Sequence, residues 1–419
     1  MDPRQNPFTP NAGAMPPALV GRDDLLEEYR VLLDRLRDGH SEQSLLVTGL
    51  RGVGKTVLLS EFERIAAGSS WLPIFAEMSS QFEFSPRIHG LVRRALFEIS
   101  PRARWGDRLN RAAAVLRSFS LTFAPDGSVT GGLDVEAQQG CGDSGFLDID
   151  LTDLLVALGE AAQEKDVGVV FLLDEFQFLK AEDLEGLVVA LHRVVQRNLP
   201  VALVGAGLPQ IPELAGKART YAERLFRFPS IERLARKDAD AALVEPAGAL
   251  GMRFSAGALD RIYEYTDGYP YFLQEYGKML WNRSDTGDVY GNDVRAAEPE
   301  VRNVLDSAFF RVRADGLSPD ELTVLRGMAE LGGGPIQLEK LLSIVSLGPS
   351  DPAAILSDLT KRTMVYSPRF GFFGFTVPHF DSYLQRRFPF TEGRVVCPNE
   401  LTPKRPCASG SGVSIQGIP

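Results

Sequence analysis

The chain has 419 residues, 44% apolar and 24% charged, which predicts two or three soluble globular domains and excludes a disordered chain, a fibre or a coiled-coil rod. A net charge of −10 excludes nucleic-acid binding by bulk charge, so any such contact needs a local basic patch. No apolar run reaches bilayer length, Met1-Asp2-Pro3 opens without the pattern of a secretory signal, and Cys141, Cys397 and Cys407 are odd in number without CxxC spacing; together these predict a cytoplasmic protein with no membrane partner, no disulfide framework and no zinc finger.

Residues 1–17 carry Pro, Asn and Ala with little periodicity and read as an extended arm, tethered or loose. Residues 23–37 place Leu25, Leu26, Tyr29, Leu32, Leu33 and Leu36 at helical spacing, with Asp23 and Asp24 where the helix dipole favours anions. Ser44–Gly49 is a short buried-strand pattern, followed by a Gly-rich turn and a helix over Thr56–Ala67. A second strand is predicted at Leu72–Glu77. Residues 80–118 read as helical and basic, with Arg87, Arg93, Arg94, Arg102, Arg104, Arg108 and Arg111 on a solvated face, an anionic partner surface being the alternative. Phe119–Phe123 and Val129–Val135, separated by Pro125-Asp126-Gly127, predict a hairpin inside an insertion spanning about 80–148. A helix over 149–164, a fully apolar strand at Val167–Leu173, a helix at Leu184–Gln196 and a strand at Pro200–Gly205 complete an alternating α/β pattern, which implies a parallel sheet with right-handed crossovers.

From about residue 233 only helices are predicted, to about 312. Ser318-Pro319 then opens a helix by an N-cap and a Pro in the first turn, a second helix is expected over Gln337–Val345 and a third from Asp351-Pro352 to Arg362. Extended runs at Met364–Ser367 and Phe372–Val377 complete a winged-helix pattern over 313–390. Residues 391–419, rich in Gly, Ser and Pro, read as a disordered tail.

Gly49-Leu50-Arg51-Gly52-Val53-Gly54-Lys55-Thr56 fits G-x-x-x-x-G-K-[ST] in full, with a strand before it and a helix after it. Glycines let successive N–H groups converge on phosphate oxygens, and the following helix, with Val57 in its first turn, presents its positive end to the same anion. Lys55 is placed to reach the β- and γ-phosphates of ATP, and the Thr56 hydroxyl to ligate Mg²⁺. Val169–Leu173 ends in Asp174-Glu175, a carboxylate pair at the end of a buried strand: Asp174 to hold Mg²⁺ through water, Glu175 to orient or deprotonate the attacking water.

With these motifs in place the chain resembles the AAA+ ATPases, in the branch that includes origin-recognition initiators and the STAND signal-transduction ATPases. The resemblance runs over most of residues 18–388. It implies a P-loop α/β domain over 18–232, an all-α lid over 233–312 and a winged helix over 313–390. Val20-Gly21-Arg22-Asp23 is similar to the entry motif of that branch, which places Gly21 and Arg22 near the adenine. Gly268-Tyr269-Pro270 is similar to the STAND Gly-x-Pro motif, which implies nucleotide contact from the lid by Tyr269 and Pro270. Two departures stand out: Gly205-Ala206-Gly207-Leu208-Pro209-Gln210 carries no Asn, Thr or Ser where the family has a polar sensor, Gln210 being a weak substitute, and no Arg directly follows the Gly-Tyr-Pro. Both resemble slow or switch-like nucleotide users, with ATP and ADP as ligands and a protein partner or self-assembly as output.

Arg224 and Arg227 remain open between an arginine finger and surface ion pairs. Lys361, Arg362 and Arg369 could meet DNA phosphates, but residues 301–390 hold ten Lys and Arg against nine Asp and Glu, so protein contact is favoured over DNA there.

Overall fold

The computed structural model describes residues 1–11, 13–123, 135–348 and 351–395. Its contacts divide the chain into two compact units, one of Met1–Ser307 with Tyr366–Arg369, the other of Ala308–Val365 with the described residues from Phe370 onward.

The first unit is built on a five-stranded sheet in the order β2-β3-β4-β1-β5, with every pairing parallel. Helix α1 (Asp23–Arg37) precedes β1 (Ser44–Thr48), α2 (Lys55–Ala67) and β2 (Trp71–Glu77). Three longer helices follow, α3 (Phe84–Ile99), α4 (Asp107–Phe123) and α5 (Leu147–Glu164), before β3 (Gly168–Asp174), α6 (Ala181–Gln196) and β4 (Val201–Gly207). Short helices α7 (Ile211–Ala218) and α8 (Ala222–Leu225) lead to β5 (Phe226–Arg227). The central strands β1, β3 and β4 are buried along their whole length, because both faces of the sheet are covered. Alternate residues enter opposite cores: Phe171, Leu173 and Leu203 meet the helices α3–α6, while Val170, Leu172 and Val204 meet α1 and α2.

Two sequence expectations change here. Phe119–Phe123 is the last turn of α4 rather than a strand; Leu109, Ala112, Ala113, Leu116 and Phe119 are buried at helical spacing, and that stripe carries the helix onward. Most of the expected hairpin, including its Pro-Asp-Gly turn, lies outside the described residues.

The same unit continues into helices α9 (Arg236–Gly248), α10 (Ala256–Thr266), α11 (Pro270–Arg283) and α12 (Gly291–Val304), with β6 (Arg253–Phe254) pairing β7 (Asp288–Val289). The core of this helical part includes Trp281, Leu273, Leu280 and, from the other end of the chain, Phe8. The N-terminal arm is tethered. It runs antiparallel along α11: Trp281 Nε1 donates to Asp2 O at 2.8 Å, Asn6 Nδ2 to Lys278 O at 3.1 Å, and Thr9 N to Gln274 Oε1 at 3.1 Å. Gly277 makes room for the Phe8 ring, which a Cβ there would approach to 2.6 Å. The arm then reaches the P-loop helix, where a Cβ on Gly13 would lie 3.3 Å from the Thr56 methyl.

The second unit holds α13 (Arg311–Ala314), α14 (Pro319–Leu331), α15 (Leu338–Leu342), α16 (Pro352–Lys361) and α17 (Phe380–Arg387). Ser318 and Glu321 form a capping box at the start of α14. Strands β8 (Ile336–Gln337) and β10 (Phe372–Phe375) pair antiparallel within this unit, and β9 (Val365–Arg369) begins at its Val365. The second expected helix is shorter at both ends: Gln337 pairs with Phe372, and the helix stops at Leu342. The segment expected to be disordered from 391 starts as structure: β11 (Phe390–Thr391) pairs antiparallel with β12 (Arg394–Val395), and residues 396–419 lie outside the described residues.

Candidate functional site

Placing β4 between β1 and β3 makes a switch point at the carboxyl ends of the strands, where ligands bind in open α/β sheets. The loop after β1 is folded for close approach. A Cβ on Gly49 would lie 2.5 Å from Ile231 O, and Gly54 takes φ 94° as the residue before α2, a conformation that L side chains avoid. No side chain caps α2, so its first N–H groups are left to other acceptors. Val53 is buried under the loop and Val57 half-buried in the first turn of α2.

Lys55 is buried, and its Nζ donates to Gly49 O at 3.0 Å and Leu50 O at 2.9 Å. Burial pushes its ammonium down to about 8, against the pull of Glu175 and Asp174. Thr56 Oγ1 donates to Asp174 Oδ2 at 2.6 Å, although 118 positions separate them. Asp174 Oδ1 accepts from Glu175 N at 2.8 Å. Burial raises the Asp174 carboxyl above the usual carboxylate range, offset in part by these hydrogen bonds.

Glu175 stands in the left-handed region at φ 52°, ψ 40°, so the chain leaves the strand axis directly after Asp174. Its carboxylate accepts from Gln177 Nε2, while Gln177 Oε1 accepts from Leu208 N at 3.1 Å. Sequence reasoning weighed Gln210 as the polar group near the end of β4 and passed over Gln177. Gln210 is instead the residue before α7, its Oε1 buried and without a hydrogen-bond partner among the described residues. The available signal was Gln177 itself, two residues after Glu175.

Gly21 and Arg22 lie beside the same loop. Arg22 donates to Glu232 O at 2.7 Å, Val53 O at 3.3 Å and Gly21 O at 3.1 Å, so its guanidinium ties the start of α1 to the loop and to the segment entering the helical part. Gly21 packs on Asp238, whose Oδ2 a Cβ would meet at 2.8 Å. Tyr269 precedes α11 and Pro270 opens it. Burial pushes the Tyr269 phenol up to about 12. The next residue, Tyr271, brings its Cβ to 3.5 Å from where a Cβ on Gly52 would sit, so the start of α11 adjoins the loop.

Arg224 and Arg227 are not at this site. Arg227 aligns with Leu45 near the start of β1, the opposite end from the loop, and pairs with Glu28 at 3.1 Å. Arg224 is exposed and makes no ion pair among the described residues. Arg227 is thus in a surface ion pair, one of the two readings its sequence left open, and neither arginine is brought to Lys55 and Asp174.

Residues 18–204 match the family model of the AAA ATPase domain. The matched segment contains Lys55, Thr56, Asp174, Glu175 and Gln177 and ends within β4. Residues 307–384 match a separate family, Domain of unknown function (DUF8462). Among solved structures, the Aeropyrum pernix ORC2 protein in its ADPNP–ADP complexes is similar at 18% identity and TM-score 0.54, covering 90% of this chain and 96% of that one. Its ADP form is similar at 19% identity and TM-score 0.52, covering 92% and 98%. At such identities the likeness shows the fold. No curated protein matches the sequence. No helix among the described residues is long and apolar enough to cross a membrane.

Proposed function

We propose that the chain is an ATP-binding, Mg²⁺-dependent AAA+ NTPase that hydrolyses ATP slowly and works as a nucleotide-controlled switch. The observation that carries this reading is the Thr56–Asp174 hydrogen bond of 2.6 Å beside the buried Lys55 ammonium. A hydroxyl and a carboxylate, both hard oxygen donors, converge beside a cation at a helix start, and the buried carboxylate gains from any cation placed against it. These residues fit Mg²⁺, which Thr56 would ligate directly and Asp174 through water. When bound, the ion supplies positive charge to the phosphate oxygens.

Lys55, now turned onto the loop's own carbonyls, swings to the β- and γ-phosphates. Main-chain N–H groups of residues 52–57 hold the same anion. Glu175 accepts a proton from the water that attacks the γ-phosphorus; the bond to the β–γ bridging oxygen breaks, leaving ADP and inorganic phosphate. Gly21 and Arg22 back the adenine end, and Tyr269 and Pro270 close over the loop from the lid. The apolar end of β4 and the lack of an arginine directly after Gly268-Tyr269-Pro270 support slow turnover and a STAND-like switch.

The second unit's helices and its β8–β10 pair support the winged-helix reading. Lys361 pairs with Asp358 at 2.9 Å and Arg362 with Glu321 at 2.7 Å, which favours a protein partner or a second copy over DNA as the output.

Glu175→Gln tests the reading. The variant should bind ATP as the parent does and hydrolyse it at least roughly 100-fold more slowly in single turnover. Unchanged hydrolysis would remove Glu175 from the chemistry.

A further inference from the structure

The end of β4 offers no polar side chain, yet it is not bare. Gly205 and Gly207 receive two consecutive side chains from the turn after Glu175. A Cβ on Gly205 would lie 2.8 Å from the Phe176 ring, and one on Gly207 would lie 2.3 Å from Gln177 Oε1. Phe176 is buried there, and Phe178 N donates to Glu175 O at 3.0 Å, closing a short 3-10 turn. The missing side chains of β4 are thus the sockets that seat this turn.

The orientation of the Gln177 amide follows from hydrogen-bond chemistry. Leu208 N–H can only donate, so the amide oxygen faces it, at 3.1 Å. That leaves the amide N–H₂ toward Glu175 Oε2, which accepts from it. One side chain therefore joins the backbone at the end of β4 to the carboxylate. The restraint matters because Glu175 sits in a left-handed conformation that the strand ladder does not define.

We propose that Gln177 is the positioning residue for Glu175, reaching from the turn into the place where a polar residue on β4 would otherwise stand. This rests on Glu175 being the base. Gln177 binds one carboxylate oxygen and sets the direction of the other toward the γ-phosphate side of the loop. Its hydrogen bonds go to the Glu175 carboxylate and the Leu208 backbone rather than to the P-loop, so its effect falls on the hydrolytic step and not on ATP affinity.

The test uses the full chain with Mg²⁺ and ATP, measuring single-turnover hydrolysis and ATP affinity. Gln177→Met keeps the length of the side chain and removes both hydrogen bonds. It should slow hydrolysis roughly 10- to 100-fold, with ATP affinity within about twofold of the parent. Gly207→Ala, which pushes the amide out of its socket, should produce the same pattern, and the double variant should be no slower than either single one, because both break one unit. Hydrolysis by Gln177→Met within about twofold of the parent, while Glu175→Gln stays inactive, overturns the proposal and leaves Glu175 as base. Additive losses in the double variant also overturn it. Should Gly207→Ala fail to fold, Gln177→Met decides alone. Normal hydrolysis by Glu175→Gln would overturn the base assignment, and the role of Gln177 with it.

Discussion

The P-loop edge of the sheet and the helical insertion α3–α4 are both rich in cations, and they treat them in opposite ways. In the insertion each arginine with an observed contact is neutralised or stacked locally. Arg94 pairs with Glu98 at 2.6 Å, Arg111 with Glu160 at 3.6 Å and Arg108 with Glu164 at 3.9 Å, while Arg102 lies over the Trp105 ring at 4.4 Å. At the P-loop one ammonium is buried on neutral carbonyls, with its acidic neighbours held by other groups. Seven arginines in sequence say less about ligand binding than one lysine buried on neutral carbonyls, where desolvation outweighs the pull of its acidic neighbours. What marks a site is the cost of holding a charge there.

Lys55→Met sharpens that contrast most. Loss of charge-assisted bonds to the phosphates should weaken ATP binding roughly 10- to 100-fold. The fold should not suffer, since a buried charge is removed. The pH dependence has a definite sign. Burial holds the folded-state ammonium at about 8, below the ordinary lysine value of 10.5, so the unfolded chain binds more protons between those values. The penalty is present in full below about pH 8 and is relieved as pH rises toward 10.5. Parent stability without nucleotide should therefore gain about 2 kcal/mol more than the Met variant between pH 7.5 and 9.5, read by denaturant unfolding. Equal pH slopes would show that Lys55 is not held at an energetic cost, and the comparison would fail at its stronger end.

His89 in α3 is the insertion's counterpart, a buried titratable group that folding leaves without a hydrogen-bond partner among the described residues. Burial, with Arg93 nearby, pulls its imidazole down to about 4 from 6.5. The folded state keeps it neutral while the unfolded chain protonates, so stability is lost as pH falls below 6.5 and on toward 4. Between pH 7 and pH 5 this should amount to about 2 kcal/mol, absent in His89→Leu. ATP affinity at pH 7 should be the same in both. A matching acid slope in the variant would place the insertion's pH sensitivity elsewhere.

The same contrast explains which parts of the molecule were legible in the sequence. Gly49–Thr56 is local, and its geometry follows from glycines and a helix start within eight positions. Asp174 and Glu175 were readable because a continuous apolar strand delivers them to the sheet edge. The arm was not, because Phe8 and Asn6 are positioned by the surface of α11, far along the chain and without any periodicity of their own. Phe119–Phe123 misled because a Pro-Asp-Gly downstream mimics a hairpin turn, while the helical stripe that overrides it begins at Leu109. Gln177 lay in plain view, but its partner, the backbone after β4, is supplied by strand pairing, which no local pattern encodes.

The smallest effect is expected from the insertion's ion pairs. Arg94 precedes Glu98 by four residues, the weaker polarity for a helical pair, and its side chain is half exposed. Arg111 shares Glu160 with Arg197, which sits closer, at 2.8 Å, so losing Arg111 leaves that carboxylate compensated. Arg94→Ala and Arg111→Ala should each cost less than about 1 kcal/mol, with ATP affinity unchanged. The double variant should also leave duplex DNA binding at low salt as it finds it. That outcome follows from pairing rather than from charge count: a phosphate would have to displace a carboxylate already in place, for little net gain. Salt-sensitive duplex binding by the parent, lost in the double variant, would show that these ion pairs open for an anionic partner, and would erase the distinction between the two regions.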